Sequence, residues 1–388
     1  MQSAKIQLTF SDGQAAQNWI TLETKDAFTN ALSSLSFTVA PPPSLFAEYR
    51  KRLRKSEIVG LVVDGKPQFA GIVWESHTTV GPDGGAVISG TAYCALKLLY
   101  QSTVDRATES RILQADAPII DLVGEVLGRY EIGVAATEDV ALIRSRTGKS
   151  SGATSTRTSG LTYREAQAQD NESAMGFVNR VLTRNGVMLR MDSAAILAYI
   201  TAPHYDGQPL YTLKQCPAGT GPAGNSFYGN VEETDSNEGQ YSFCETMGAG
   251  SDGPGSTQSH TPRARVNSRQ INPDRPPFRS TATVNHCPVY HRDPNCRDTA
   301  AAERVSTLVL GLKAEDAYSI RGTVHGLTSI EGVPWTVDTL ARVYLPKLGI
   351  DEVMWISERT FRADASGGQS TELVLLPKGN LQLGELPS

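Results

Sequence analysis

The sequence is short of several things, and each shortage excludes a class. Its five cysteines (Cys94, Cys216, Cys244, Cys287 and Cys296) are an odd count in a chain of 388 residues. That is no disulfide framework, so free thiols are expected. Aromatic residues make up 7% and Trp only 4 positions, too few for the stacking platforms of a carbohydrate- or receptor-binding β protein. No apolar run approaches the roughly 20 residues that span a bilayer, and MQSAKIQLTF has no apolar signal core. No membrane insertion is expected, and synthesis in a cytoplasm is. Charge of one sign is also lacking: 36 basic against 41 acidic residues give −5 and a pI near 5.8, with no basic field for a nucleic-acid ligand.

Catalytic templates are missing too. Gly148-Lys149-Ser150 is similar to the end of a phosphate-binding loop, but Ile143 stands where that loop requires glycine. No HExxH, GxGxxG after a strand, or GxSxG elbow occurs. His286, Cys287, His291 and Cys296 form one cluster of metal-ligand types, with irregular spacing. A single loop usually supplies two zinc ligands at a regular short spacing, so the cluster reads as a Pro-rich loop. A metal site or a Cys287–Cys296 disulfide are the alternatives, and a Cys/His hydrolase would need a base-orienting partner that sequence does not reveal. No catalytic, cofactor-binding or metal-binding residue, and no cofactor, is therefore expected.

What is present is mostly β patterning. Ile6-x-Leu8-x-Phe10, Ile20-x-Leu22 and Leu35-x-Phe37-x-Val39 alternate, as half-buried antiparallel strands do. Pro41 to Pro43 end the third of these and lead to a basic cluster, Arg50, Lys51, Arg52, Arg54 and Lys55, expected as a solvated loop or as a docking patch for an acidic neighbour. From about Val104 the period becomes helical. Asp116 can cap, Pro118 suits a first turn, and Ile119, Val123, Val126, Leu127 and Tyr130 make one stripe. A second helix from near Asn171 buries Met175, Val178, Val181 and Leu182, stops at Asn185-Gly186, and precedes a hairpin across Asp192-Ser193. Between the helices, residues 144–160 hold no large apolar side chain, which predicts a mobile loop. After Ile200 the expectation is an irregular, Pro/Gly-rich arm with one strand at Gly239 to Met247, then a helix from Asp298 to about Leu312.

Two stretches follow one plan of strand, turn, long strand, Gly-rich turn and strand. One begins at Ile58 and passes Val63, Phe69, Gly71 and Val73. The other begins at Pro334 and passes Trp335, Val337, Val343, Leu348-Gly349-Ile350-Asp351, Phe361, Gly367-Gly368 and Thr371. Between them, residues 172–200 give a helix ending at a glycine before two short strands. This order resembles the baseplate hub proteins of Mu-like contractile-tailed phages. The fold class expected is α+β, mainly β: two tail-tube-like antiparallel β-barrel units, a small αβ domain and a helical or extended insertion. Expected boundaries are 1–103 for the first barrel, 104–205 for the αβ domain, 206–320 for the arm and helix that partly complete the second barrel, and 321–388 for the second barrel.

The resemblance implies a homotrimeric, pseudo-sixfold ring without enzymatic activity, in the baseplate of a virion tail. Such a ring joins a hexameric tail tube protein to a trimeric central spike protein, next to baseplate wedge and tape-measure proteins, and DNA passes through it transiently. Alternatives are a tail-associated cell-wall hydrolase and a secretion-system spike component. Within the ring, the bore is expected to be neutral or acidic with Asp351 and Glu352 near its lining. The basic cluster should face away from it, and Val73 and Ile356 should lie on edges that pair across subunits.

Overall fold

The computed structural model describes residues 4–16, 18–82, 85–104, 119–136, 171–184, 187–193, 196–216, 224–236, 241–248, 261–267, 287–293, 296, 299–315 and 317–378. The first unit comprises β1 (Ile6–Phe10), β2 (Ala15–Ala16), β3 (Trp19–Ala27), β4 (Ser34–Val39), α1 (Phe46–Arg52), β5 (Ile58–Val63), β6 (Lys66–Val80), β7 (Ala86–Tyr93) and α2 (Lys97–Gln101). Alternation mostly does what it should: Leu8, Phe10, Leu22, Leu35, Phe37, Val39, Val59 and Leu61 all point into one core, but Ile20, expected on the same face as Leu22, is exposed at the bulge between Trp19 and Thr21. Asp64 and Gly65 join β5 to β6 with φ of 47° and 77°, as a two-residue hairpin turn requires. The basic cluster, expected as a loop, is instead largely the short helix α1 and the turn after it. Tyr49 and Leu53 anchor it to the core, and Arg52 is held by Asp12 at 3.0 Å and Glu48 at 2.7 Å.

An αβ unit follows, with α3 (Ile119–Gly128), β8 (Gly133–Ala136), α4 (Ala174–Arg184), β9 (Met188–Met191) and β10 (Leu197–Thr201). The sheet order is β8-β10-β9, with the β9–β10 hairpin at the predicted place. Val123, Val126 and Leu127 of α3 pack with Met175, Val178, Val181 and Leu182 of α4, so both helical stripes are buried as expected. Asp116, Pro118 and the loop at 144–160 with Gly148-Lys149-Ser150 lie outside the described residues.

The remainder is β11 (Tyr211–Gln215), β12 (Ser226–Asp235), β13 (Phe243–Met247), β14 (Arg263–Asn267), β15 (Pro288–Arg292), α5 (Thr299–Glu315), β16 (Tyr318–His325), β17 (Thr339–Leu345), β18 (Ile350–Asp364) and β19 (Gly368–Pro377). The expectation of one strand before the helix is thus corrected: β11 to β15 all precede α5. β12 escaped the pattern because Gly229 has φ 76° and a bulge between Tyr228 and Val231 breaks its alternation. Sheet neighbours, rather than intrinsic preference, make it a strand. The three-stranded sheet β14-β13-β15 lies on α5, with Cys244, Val266 and Leu310 at the contact.

A 13-stranded sheet joins both β units in the order β17-β11-β12-β16-β19-β18-β3-β4-β7-β6-β5-β1-β2, and β17 also pairs with β18. That extra pairing closes β11, β12, β16, β19, β18 and β17 into a six-stranded barrel around Phe227, Trp335, Ile356, Phe361 and Leu373. The strand orders β3-β4-β7-β6-β5-β1 and β12-β16-β19-β18-β17-β11 match position by position, the last pair differing in direction: β1 is antiparallel to β5 and β11 parallel to β17. Even local detail repeats. Ser56 (φ 72°) and Asp338 (φ 66°) both precede a strand in left-handed geometry, and each donates its N–H across the sheet, to the Val73 and Ile356 carbonyls at 2.8 and 2.9 Å.

Candidate functional site

β18 is where the two units become one surface. Its first half, Ile350 to Ile356, pairs with β17; after a bulge between Ile356 and Glu358 its second half, Glu358 to Asp364, pairs with β3. β19 covers the other edge from Met354 onward. The sheet therefore runs without interruption through β12-β16-β19-β18-β3-β4-β7-β6.

One face of this eight-stranded wall belongs to the cores, and the other is open and polar. Register places Glu75, Thr91, Ser36, Glu23, Arg362 and Ser370 side by side across six strands. The neighbouring row runs His77, Ser89, Thr38, Thr21 and Asp364. Serine and threonine make up half of the first row and most of the second, and the wall is curved, enclosing a concavity of about 860 Å³ that reaches from Glu75 and His77 to Tyr228 and His325.

Its charges are arranged in a ladder. Lys25 meets Glu23 at 3.3 Å, Arg362 meets Glu23 at 3.0 Å and Glu372 at 2.8 Å, and Arg321 meets Glu372 at 3.3 Å. Burial pushes the Glu23 carboxyl up, but the hydrogen bonds and charges of Arg362 and Lys25 outweigh it and hold the carboxyl below its ordinary range. Asp364 is likewise lowered, by hydrogen bonds from Ser366 and the Gly367 N–H. Glu23, Glu75, Glu232, Glu358, Asp364 and Glu372 outnumber Lys25, Arg321 and Arg362 on this face, so it is neutral to acidic.

Behind the wall a buried seam fixes the two units. Arg359 is 5% exposed and donates to the Trp335 carbonyl and to Gln68 Oε1 at 2.7 Å, lies 3.6 Å from Asp26, and sits 4.4 Å over the Phe361 ring. Burial pulls its pKa down and Asp26 opposes that. Asp26 also binds Arg190 of the αβ unit at 3.1 Å. At the far end of the seam the Gln369 side-chain amide imitates a strand, accepting from the Ala4 N–H at 2.9 Å and donating to the Ala4 carbonyl at 2.7 Å. Trp355 packs edge-on against Phe28 and Tyr205, and Asp338 ties the Trp355 Nε1 (2.9 Å) to His204 (2.6 Å).

Residues singled out from sequence are placed differently from one another. Asp351 and Glu352, expected near a lining, sit on the β17-paired half of β18, away from the open wall, and Asp351 binds Arg342 at 2.8 Å. Val73 and Ile356, expected on outer edges, are internal. Val73 is bonded to Ser56 and Glu57 on one side and pairs with Ala92 on the other, and Ile356 pairs with Thr339 and Leu375. All five cysteines are free; Cys287 precedes β15, His291 lies in it, and Cys296 is buried beside Ala302 and Val305. His286 and Asp298 lie outside the described residues. Arg359, Gln369 and the charge ladder were missed, although Thr21-x-Glu23-x-Lys25 and Thr360-x-Arg362-x-Asp364 carry a period-two polar signal.

No protein-family model and no curated protein sequence matches the chain. Solved structures do. A tail protein from Neisseria meningitidis superposes with a TM-score of 0.72 at 14% identity, covering 98% of this chain and 99% of that one. A 43 kDa tail protein of prophage MuSo2 from Shewanella oneidensis gives 0.71 at 14% identity, covering 98% and 100%. A type VI secretion component of E. coli, described as similar to tail proteins of bacteriophage T4, gives 0.50 at 10% identity, covering 95% and 76%. At such identities the likeness speaks for the fold: this chain has the fold of phage tail proteins, Mu-like prophage tail proteins included.

Proposed function

We propose that the chain is a structural hub of a contractile phage tail. Three copies form a pseudo-sixfold ring in the virion, joining a hexameric tail tube to a trimeric central spike, with baseplate wedge and tape-measure proteins as further neighbours. The polar wall lines a channel that DNA crosses, and the protein catalyses no reaction. Residues 1–103 and 321–388, the latter completed by strands from 206–320, are the tube-like units, and 104–205 is the attached αβ unit.

One observation carries this reading. The wall ends in two open edges, and its internal joint is a template for closing them. β12-β16-β19-β18 and β3-β4-β7-β6 are the same four-strand set, and β18 hands over to β3 within the chain. Beyond Val73 the edge of β6 that faces away from β7 has no strand partner among the described residues, nor has the outer edge of β12 beyond Phe227. Unsatisfied edges of this kind are closed by pairing, and a second copy brings its β12 to β6 as β3 comes to β18. The wall's chemistry suits passage, because each free cation facing a phosphate would add a counterion-release term that holds the strand.

The likeness to the secretion component favours a second reading, a spike component of a secretion system built on the same ring. Sedimentation of the chain alone and with a tail tube protein, followed by cryo-EM class averages, tests the proposal. A threefold ring with Ser36, Thr91 and Arg362 facing the bore is expected. A monomer at every concentration, with tube protein present, overturns the ring, and an outward-facing wall overturns the channel. Clearing of peptidoglycan by purified protein would favour a hydrolase.

A further inference from the structure

Resting on the ring reading above, we propose that Asp235 of one copy closes onto Lys55 of the next, an interchain charge clamp that sets the register of the β6–β12 junction. Within the chain, the joint between the units has a defined anatomy. β17 stops at the bulge of β18, with the Asp338 N–H bonded to Ile356; β3 ends there too, with the Phe28 N–H donating to the Ser357 carbonyl at 2.8 Å. Asp26, near the end of β3, is neutralised across the joint by Arg359 and Arg190.

The same anatomy, half occupied, exists at the other end of the wall. β6 bulges between Val73 and Glu75, and the segment before β5 stops at that bulge with the Ser56 N–H bonded to Val73. Counting outward from the two bulges through the matching strands, Val73 corresponds to Ile356, Thr91 to Val374, Ser36 to Arg321, Glu23 to Glu232, and hence Asp26 to Asp235. Ser56 corresponds to Asp338, and so Lys55 to Val337, which packs against Phe28 in the internal joint. A neighbouring β12 laid on β6 in the β3–β18 register therefore brings the end of β12 to Lys55.

The charges at the two ends fit. The position of Arg359 is taken by Ser76 in β6, so β6 offers Asp235 no cation at that position. Asp235 is exposed and forms no ion pair among the described residues, and Lys55 is likewise exposed and unpaired, whereas Arg54 beside it is engaged by Glu57 at 3.1 Å. An arriving carboxylate finds Lys55 free, and a register slip of one residue would turn Asp235 to the other face of the sheet.

Charge reversal within one chain tests the clamp. Lys55→Asp and Asp235→Lys should each weaken ring formation at least about tenfold per junction by placing like charges together, and the double variant should recover the wild-type assembly midpoint in sedimentation. Circular dichroism checks that each variant folds; should one fail, Lys55→Ala and Asp235→Asn replace them, with a smaller loss expected and no rescue. If wild type forms rings and both reversals assemble as well as it does, the clamp is wrong and the ring reading stands. If wild type forms no ring under any condition, both fall together.

Discussion

The two β units share one strand order but differ in how they close. The second is a complete barrel, sealed by β17 pairing with β18 and by β11 lying between β17 and β12. Among the described residues the first forms no such ring of its own: it borrows the second half of β18 on one side, takes Ala363 into its core, and is pinned on the other side by the Gln369 amide. One unit is self-sufficient, and the other is finished by its neighbour. The asymmetry makes the joint between them a structural necessity, which is why a buried, hydrogen-bonded arginine is tolerated there.

Three perturbations sharpen or break that comparison. Ile356→Pro should have the largest effect. It removes a ladder donor from a strand paired on both edges just where β17 gives way to β3, so both units should lose their folded state, at a cost of roughly 3 kcal/mol or more. Loss of the cooperative melting transition is the readout; a folded variant defective only in assembly would show that the joint is dispensable to folding. Arg359→Ala should come next. Asp26, Gln68 and the Trp335 carbonyl would lose a shared donor in a buried site, costing about 3–5 kcal/mol in chemical denaturation, and Arg190→Ala should cost far less because Arg190 is not buried as Arg359 is. Equal losses would mean the seam is not centred on Arg359.

The smallest effect concerns acid. Glu23 titrates below the ordinary carboxylate range in the folded protein, so its stabilisation is present above the unfolded value, about pH 4.3, and is lost as pH falls through the lowered folded value. Thermal melts between pH 5 and about pH 3 at low salt should show Glu23→Gln with a shallower acid decline than wild type. An identical slope would mean that the ladder between the units adds nothing to their joining.

Much of this was legible in the sequence where cause and effect are local. The alternation at Leu35, Phe37 and Val39 and the stripe at Met175, Val178, Val181 and Leu182 each name their own buried face. The similar plan of the stretches beginning at Ile58 and Pro334 foretold the repeat. β12 was illegible because its bulge and Gly229 erase the alternation, and α1 because seven residues with three cations look like any solvated segment. The wall itself could not be read at all. Glu23 and Arg362 are partners separated by 339 positions, and nothing in either neighbourhood says which strand will lie alongside. For the same reason Val73 and Ile356 were taken for edges: a strand's pattern reports its faces, not its flanks.

That separation has a consequence for how the protein is made. β3 leaves the ribosome long before β18 exists, and at about 5–20 residues per second the delay is on the order of 20 s or longer. Throughout that interval the nascent first unit carries an unpaired β3 edge and lacks Ala363 from its core. Pairings so distant also slow the final step, because the closure of a long loop precedes any gain from the contacts. The N-terminal half should therefore wait in a partly formed state, exposed to the wrong partner strand, until the last strands arrive. Translation that stops before β18 would leave that edge permanently open, and truncated chains should aggregate rather than fold.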